Sequence, residues 1–146
     1  MMQTIHIEPF FIERYDQVYA LWQRSSGAWL SSADECEHIT RYLARNPGMS
    51  FLAFAGDTVV GTILGGHDGR RGYIHHLAVD DAYRRKGIGG QLVERCLAAL
   101  EEEGLQKVHL FVFHENEDGI DFWKANGWEL RRDIMVMSKH IEGQAL

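Results

Sequence analysis

Residues 77–90 read Leu77-Ala78-Val79-Asp80-Asp81-Ala82-Tyr83-Arg84-Arg85-Lys86-Gly87-Ile88-Gly89-Gly90. An apolar run ends in a polar turn, three cationic side chains follow, and glycines then open an amphipathic run. Over 87–103, Ile88, Leu92, Val93, Cys96, Leu97 and Leu100 share one helical face, and Gln91, Glu94, Arg95, Glu101 and Glu102 line the other. Gly104 stands at the expected C-cap. The stretch predicts a buried strand, a turn and a helix start. The first amides of a helix lack intrahelical acceptors, and the helix dipole adds positive charge there. Glycines at 87, 89 and 90 let a bulky anion come close, so 84–90 is a candidate phosphate site. A solvated basic turn is the plain alternative. No Gly-Lys-Ser/Thr follows, which excludes a Walker loop. The third glycine and the early βαβ unit of a dinucleotide fingerprint are also missing.

Upstream of this stretch, residues 3–8 alternate as a strand does, and Ile12, Tyr15, Tyr19 and Trp22 recur at helical spacing over 12–24. Ser32 and Glu35 have capping-box spacing, which predicts a second helix with Cys36, Ile39 and Leu43 as its apolar stripe, stopped at Asn46-Pro47-Gly48. Strands follow at 50–55 and 58–66 around Gly56-Asp57, and at 73–79 after a turn. Downstream, the pattern predicts a strand at 107–113, a short helix near 117–125 and a last strand over 128–138. Hairpins combined with strand-helix-strand crossovers imply an α/β fold, with helices flanking a mixed, mostly antiparallel central sheet.

A chain of 146 residues fits one domain, taken here as 1–146. Cys36 and Cys96 make no disulfide framework, so a reducing, cytoplasmic setting is expected; both thiols are read as core residues. No apolar run is long enough for a bilayer. A net charge of −6 argues against a nucleic-acid surface, leaving only Arg84-Arg85-Lys86 in its favour. His67, His75, His76, His109 and His114 lack the paired spacing of a metal site, so no metal is expected.

Arg84-x-x-Gly87-x-Gly89, after a strand ending Leu77-Ala78-Val79, resembles the acetyl-CoA motif of the Gcn5-related N-acetyltransferase (GNAT) superfamily. Asn116 followed by Phe122-Trp123-Lys124-Ala125-Asn126-Gly127-Trp128 is similar to that family's second motif, an asparagine, a short aromatic helix and a closing Gly-aromatic pair. The first strand and helix also resemble the family's N-terminal region, so the likeness covers nearly the whole chain, in the manner of short single-domain bacterial members. The resemblance implies acetyl-CoA as cosubstrate and direct transfer of its acetyl group to an amine. It places the pyrophosphate on Arg84, Arg85, Lys86, Gly87, Ile88, Gly89 and Gly90. It places the pantetheine arm and thioester along the main chain of Leu77, Ala78 and Val79, where the strand is splayed by a bulge, and adds Asn116 to the cofactor site.

The likeness has one departure. Many members carry a tyrosine that protonates the leaving thiolate where this chain has Trp123. Indole donates a hydrogen bond but is no usable acid. Trp123 then packs under the cofactor, or another residue supplies the proton, or the protein binds acyl-CoA without efficient turnover. That last reading is the rival function, a non-catalytic acyl-CoA sensor. A thiol of pKa ~8.5 leaves tolerably well, and acid-base assistance is typically worth ~10²–10⁴-fold, so losing the acid slows an enzyme rather than silencing it.

The attacking amine must lose a proton. Some relatives use a histidine or glutamate at the position matching His75, which makes His75 the expected base; a hydrogen-bonded packing role is the alternative. Strict alternation sends His75 and His76 to opposite faces, so at most one faces the cleft and His76 is read as structural. Glu115 and Asp68 are loop substitutes, each also readable as a solvated charge. The family's acceptor cleft lies by the first two helices and their loop, where Ser26 and Trp29 are candidate substrate contacts and a hydrophobic plug is the other reading. The acceptor itself is not legible, because this fold serves many amines. The last strand, with Met135 and Met137, is expected to offer an edge to a second copy, giving a homodimer.

Overall fold

The computed structural model describes residues 4–25 and 30–141. The chain divides into two compact units, 1–113 and 114–146. In the first, β1 (Ile5–Pro9), β2 (Phe51–Ala55), β3 (Thr58–His67), β4 (Gly72–Val79) and β5 (Val108–Leu110) form one five-stranded sheet in that order. The first four strands are antiparallel, and β5 joins β4 in parallel. The crossover between β4 and β5 is α3 (Ile88–Glu102), while α1 (Tyr15–Arg24) and α2 (Cys36–Arg45) lie between β1 and β2. This is the expected mixed, mostly antiparallel sheet with flanking helices.

The core separates by face. Val18, Leu21 and Trp22 of α1 and Ile39 of α2 pack with Leu52, Phe54, Val59, Leu64 and Ala78 of the sheet. The opposite face receives α3. A Cβ on Gly61 of β3 would lie 3.0 Å from Leu92 and 3.2 Å from Ile88, so any larger residue there would push those side chains back by a few tenths of an ångström, and glycine lets the first turns of α3 settle close to the sheet.

Two features before and at the start of α2 differ from the sequence reading. The capping box forms at Ser31 and Asp34, one residue earlier than expected, and closes a 3-10 turn at Ser32–Asp34 rather than α2. Asp34 occupies that place because its carboxylate has a second partner across the cleft, described below. Cys36, the first residue of α2, is exposed rather than core, since that helix buries Ile39 and turns its opening residue outward; Cys96 is fully buried.

In the second unit, α4 spans Glu117–Ala125, as expected. The strand expected over 128–138 does not form. Alternating side chains make a strand only where another backbone supplies the ladder, and among the described residues none pairs with this segment. Its polar middle closes on itself instead, with Arg131 gripping Asp133 through two hydrogen bonds of 2.9 and 2.8 Å. The edge expected to serve a second copy is therefore not a strand here.

Candidate active site

The first part of the site is made by backbone. β5 pairs with β4 only as far as Ile74 and Leu110. From His75 to Val79, β4 runs on with its β3 partner and without a β5 rung. The main-chain groups that would have faced β5 over this splay include those of Leu77, Ala78 and Val79. Beyond Val79, Asp80 caps a single 3-10 turn, Asp81–Tyr83, by accepting from the Ala82 amide. Asp80 also takes a 2.9 Å hydrogen bond from Arg24 at the end of α1, tying that helix to the turn.

Arg85 (φ 63°) and Gly87 (φ 77°) then both adopt left-handed backbone, which wraps the chain tightly before α3. No side chain caps α3 and, among the described residues, its first amides meet no side-chain acceptor; a Cβ on Gly87 or Gly90 would touch nothing within 4 Å. An open helix N-terminus next to Arg84, Arg85 and Lys86 is an arrangement suited to a phosphate. Arg84 holds Asp81 at 2.9 Å with both side chains largely in solvent, a contact an incoming anion can displace.

The second part is a cleft of about 630 Å³ lined by residues of α2, the preceding turn, β3 and β4. His75 and His76 both line it, contrary to alternation. The cause is a β-bulge. Leu64 pairs with His75 and Thr62 with Ala78, so β4 spends one more residue than β3 over the same span. His76 absorbs the excess at φ 49°, a costly conformation for a non-glycine residue that the surroundings must enforce.

Those surroundings are explicit. Thr62, fully buried, donates to the His76 carbonyl at 3.2 Å and accepts from the Trp22 indole at 3.0 Å. The Trp22 ring lies 4.8 Å from the His76 ring. His76 Nε2 meets Asp34 Oδ1 at 2.8 Å, and the Asp34 side chain is only 9% exposed. Tyr15 pins the turn from below, its hydroxyl donating to the Asp34 carbonyl at 2.6 Å. Burial opposes the Asp34 carboxylate, yet the hydrogen bonds from His76 and the Ser31 amide, with the charge of the two histidines, hold its carboxyl below the usual range. His75 lies among Tyr42, Tyr73 and Phe111 rings, and its burial, helped by His76, pushes its imidazole below the ordinary histidine value.

The other expected residues are described within their own units. Asn116 accepts from the Gly119 amide at 3.0 Å as the N-cap of α4. Trp123 sits between Phe122 and Trp128, with ring centroids 5.1 and 5.0 Å away. Glu115 is exposed in the same unit. Asp68 accepts from the Arg70 and Arg71 amides, which builds the β3–β4 turn. Ser26 and Trp29 lie outside the described residues. Burial pushes the Cys96 thiol up to about 12, so it offers no nucleophile. Among the described residues, no three His, Cys, Asp or Glu side chains stand together as metal ligands.

Asp34, Tyr42 and Thr62 were not legible as site residues. The one signal for Asp34 was its position in a cap sequence ahead of α2; its tie to His76 spans 42 positions.

Comparison with known proteins gives a consistent picture. The profile of the acetyltransferase (GNAT) family matches residues 15–128. The acetyltransferase SG1711 of Sodalis glossinidius (strain morsitans) is 28% identical over 137 residues, 94% of this chain and 96% of its own length. Ard1 of Thermoplasma volcanium superposes with a TM-score of 0.77 at 25% identity, covering 87% of this chain and 84% of that one. The PaiA N-acetyltransferase of Thermoplasma acidophilum, solved with coenzyme A, shares the fold at a TM-score of 0.75 and 19% identity, over 88% and 91% of the two chains.

Proposed function

The chain belongs to the acetyltransferase (GNAT) family, acetyl-CoA-dependent N-acetyltransferases, and on that premise we propose that it moves the acetyl group directly onto a primary amine held in the cleft beside β4. Residues 1–146 act in this reading as one catalytic domain of the cytosol. The observation that carries it is the continuity of the splay: free backbone from His75 to Val79 leads from the histidine-lined cleft to the uncapped start of α3. A coenzyme laid along it has its pyrophosphate at Arg84–Gly90, its pantetheine on Leu77–Val79 and its thioester beside the bulge.

The neutral amine nitrogen attacks the thioester carbonyl carbon. The new C–N bond forms as the C–S bond breaks, and coenzyme A leaves as thiolate. His75 accepts the amine's proton, directly or through water, since burial disfavours its imidazolium and keeps a ring lone pair available at neutral pH. A second reading of the base rests on the Asp34–His76 pair, because a carboxylate that fixes one imidazole nitrogen orients the other. The thiolate takes its proton from water. Trp123, packed by Phe122 and Trp128, serves as a packing residue in this account, and Asn116 contributes as the cap of the helix that carries it.

Calorimetric titration with acetyl-CoA, with free coenzyme A as control, tests the cofactor site, and thiol release with a panel of primary amines tests transfer. Micromolar binding with amine-dependent release is expected. Tight binding with no release on any amine favours the sensor, and no binding to folded protein removes the assignment of Arg84–Gly90.

A further inference from the structure

The charges on the cleft wall are unusual for this chain. Acidic residues outnumber Lys and Arg by 21 to 15 over the sequence. Arg14, Arg24, Arg84 and Arg131 each find a carboxylate. The cleft reverses the balance. Its lining includes Arg41, Arg45, His38, His75 and His76, and its single carboxylate is Asp34. That carboxylate is already engaged by His76 and by the Ser31 amide at 2.9 Å. Among the described residues, neither Arg41 nor Arg45 has a carboxylate partner. His38, Arg41 and Arg45 succeed one another at helical spacing, so one face of α2 presents a basic stripe to the cleft.

Arg41 is also oriented. Its Nη2 lies 2.9 Å from His38 Nδ1. A guanidinium can only donate, so Nδ1 is the acceptor in this contact. The histidine steers the guanidinium without neutralising it. The acidic residues Glu35 and Glu37 at the start of α2 do not line the cleft.

We propose that the acceptor is a primary amine that also carries a side-chain carboxylate, seated with that carboxylate on Arg41 and Arg45 of α2 and the amine toward His75 and His76. Guanidinium forks match carboxylate oxygens in geometry as well as charge. The same wall repels a polyamine or a polycationic aminoglycoside, whose charges would meet two arginines and no open carboxylate. It also disfavours the ammonium form of the bound amine, which helps the proton loss that attack requires. The carboxylate comes from a free acidic amino acid or from the first side chain of an acidic peptide.

This inference rests on the acetyl-transfer reading, so the experiment separates the two. Turnover is measured on glutamate against glutamine, on a peptide amide beginning with glutamate against one beginning with glutamine, and on spermidine. The acid member of at least one pair is expected to exceed its neutral counterpart by about tenfold in kcat/KM, the effect of a partly solvated charge-assisted contact. The pair that shows the preference tells free amino acid from peptide. In Arg41→Gln/Arg45→Gln that preference collapses through KM rather than kcat. Calorimetry with N-acetylglutamate, a product mimic, supplies a readout that needs no turnover: the double variant should bind it about tenfold more weakly than the wild type. A preference for spermidine, an acid-over-neutral ratio that survives in the variant, or N-acetylglutamate binding that is absent in the wild type or equal in both proteins overturns the proposal. Failure of acetyl-CoA to bind sinks the transfer reading alone, because N-acetylglutamate binding still decides the anion site.

Discussion

The two halves of the site are built on different principles. The α3 entrance is contiguous: strand end, turn, basic cluster and uncapped helix lie within residues 77–90 and present mostly main chain. The α2 cleft is assembled from residues as distant as Asp34 and His76, and it works through side chains. A backbone site tolerates many sequences provided glycines keep their conformation. A side-chain site depends on each partner and can be retuned for a new ligand by one substitution. On the reading proposed above, the α3 entrance is the cofactor half and the α2 cleft the acceptor half.

The sharpest way to break this division is to insert charge into the backbone half. Arg84→Glu with Gly89→Glu sets two carboxylates against a pyrophosphate. Acetyl-CoA affinity should fall by about a thousandfold, roughly 4 kcal/mol for two charge contacts turned repulsive. Calorimetry on the folded variant reads this directly, and unchanged affinity would move the cofactor elsewhere.

The next effect tests the cleft half. His75→Ala should lower kcat about a hundredfold, the usual worth of a general base, while acetyl-CoA affinity holds. The pH profile gives a further check. Because burial lowers the folded pKa of His75, the wild-type kcat should keep its level down through the ordinary histidine value near ~6.5 and fall only below it. The stability sign agrees: the unfolded chain takes the proton first, so this group costs stability as pH drops below the unfolded value. If His76→Gln carries the larger kcat loss instead, the base is the Asp34-held ring.

Most of the fold was legible because its signals are local. The helical face of Ile88, Leu92 and Cys96 and the Gly56-Asp57 turn need no distant partner to be recognised. The 128–138 segment shows the limit, since its alternation was real and its ladder depended on another backbone. The same limit explains the cleft. Alternation allowed only one of His75 and His76 to face the cleft, yet both line it, because a bulge is a property of two strands in register, not of either sequence. Cys36 was assigned to the core from apolar spacing, yet the first residue of a helix looks outward when the buried stripe begins at Ile39.

The smallest expected effect asks whether the bulge and the Asp34 contact depend on each other. Asp34→Asn keeps the size of the side chain and removes its charge. The amide oxygen can still accept from the Ser31 amide, so the turn before α2 should survive, while the bond to His76 becomes neutral. The expected loss is about 1–2 kcal/mol, a charge-assisted hydrogen bond exchanged for an ordinary one in a mostly buried place. That loss should itself depend on pH. Asp34 has a depressed folded pKa, so its stabilisation is present above the unfolded carboxyl value and disappears as pH falls through the folded one. Denaturant midpoints of the two proteins should therefore differ at pH 7 and converge below the carboxyl range. A gap that persists in acid would mean that Asp34 acts by shape alone and that Thr62 and Trp22 suffice to hold His76 in its left-handed conformation.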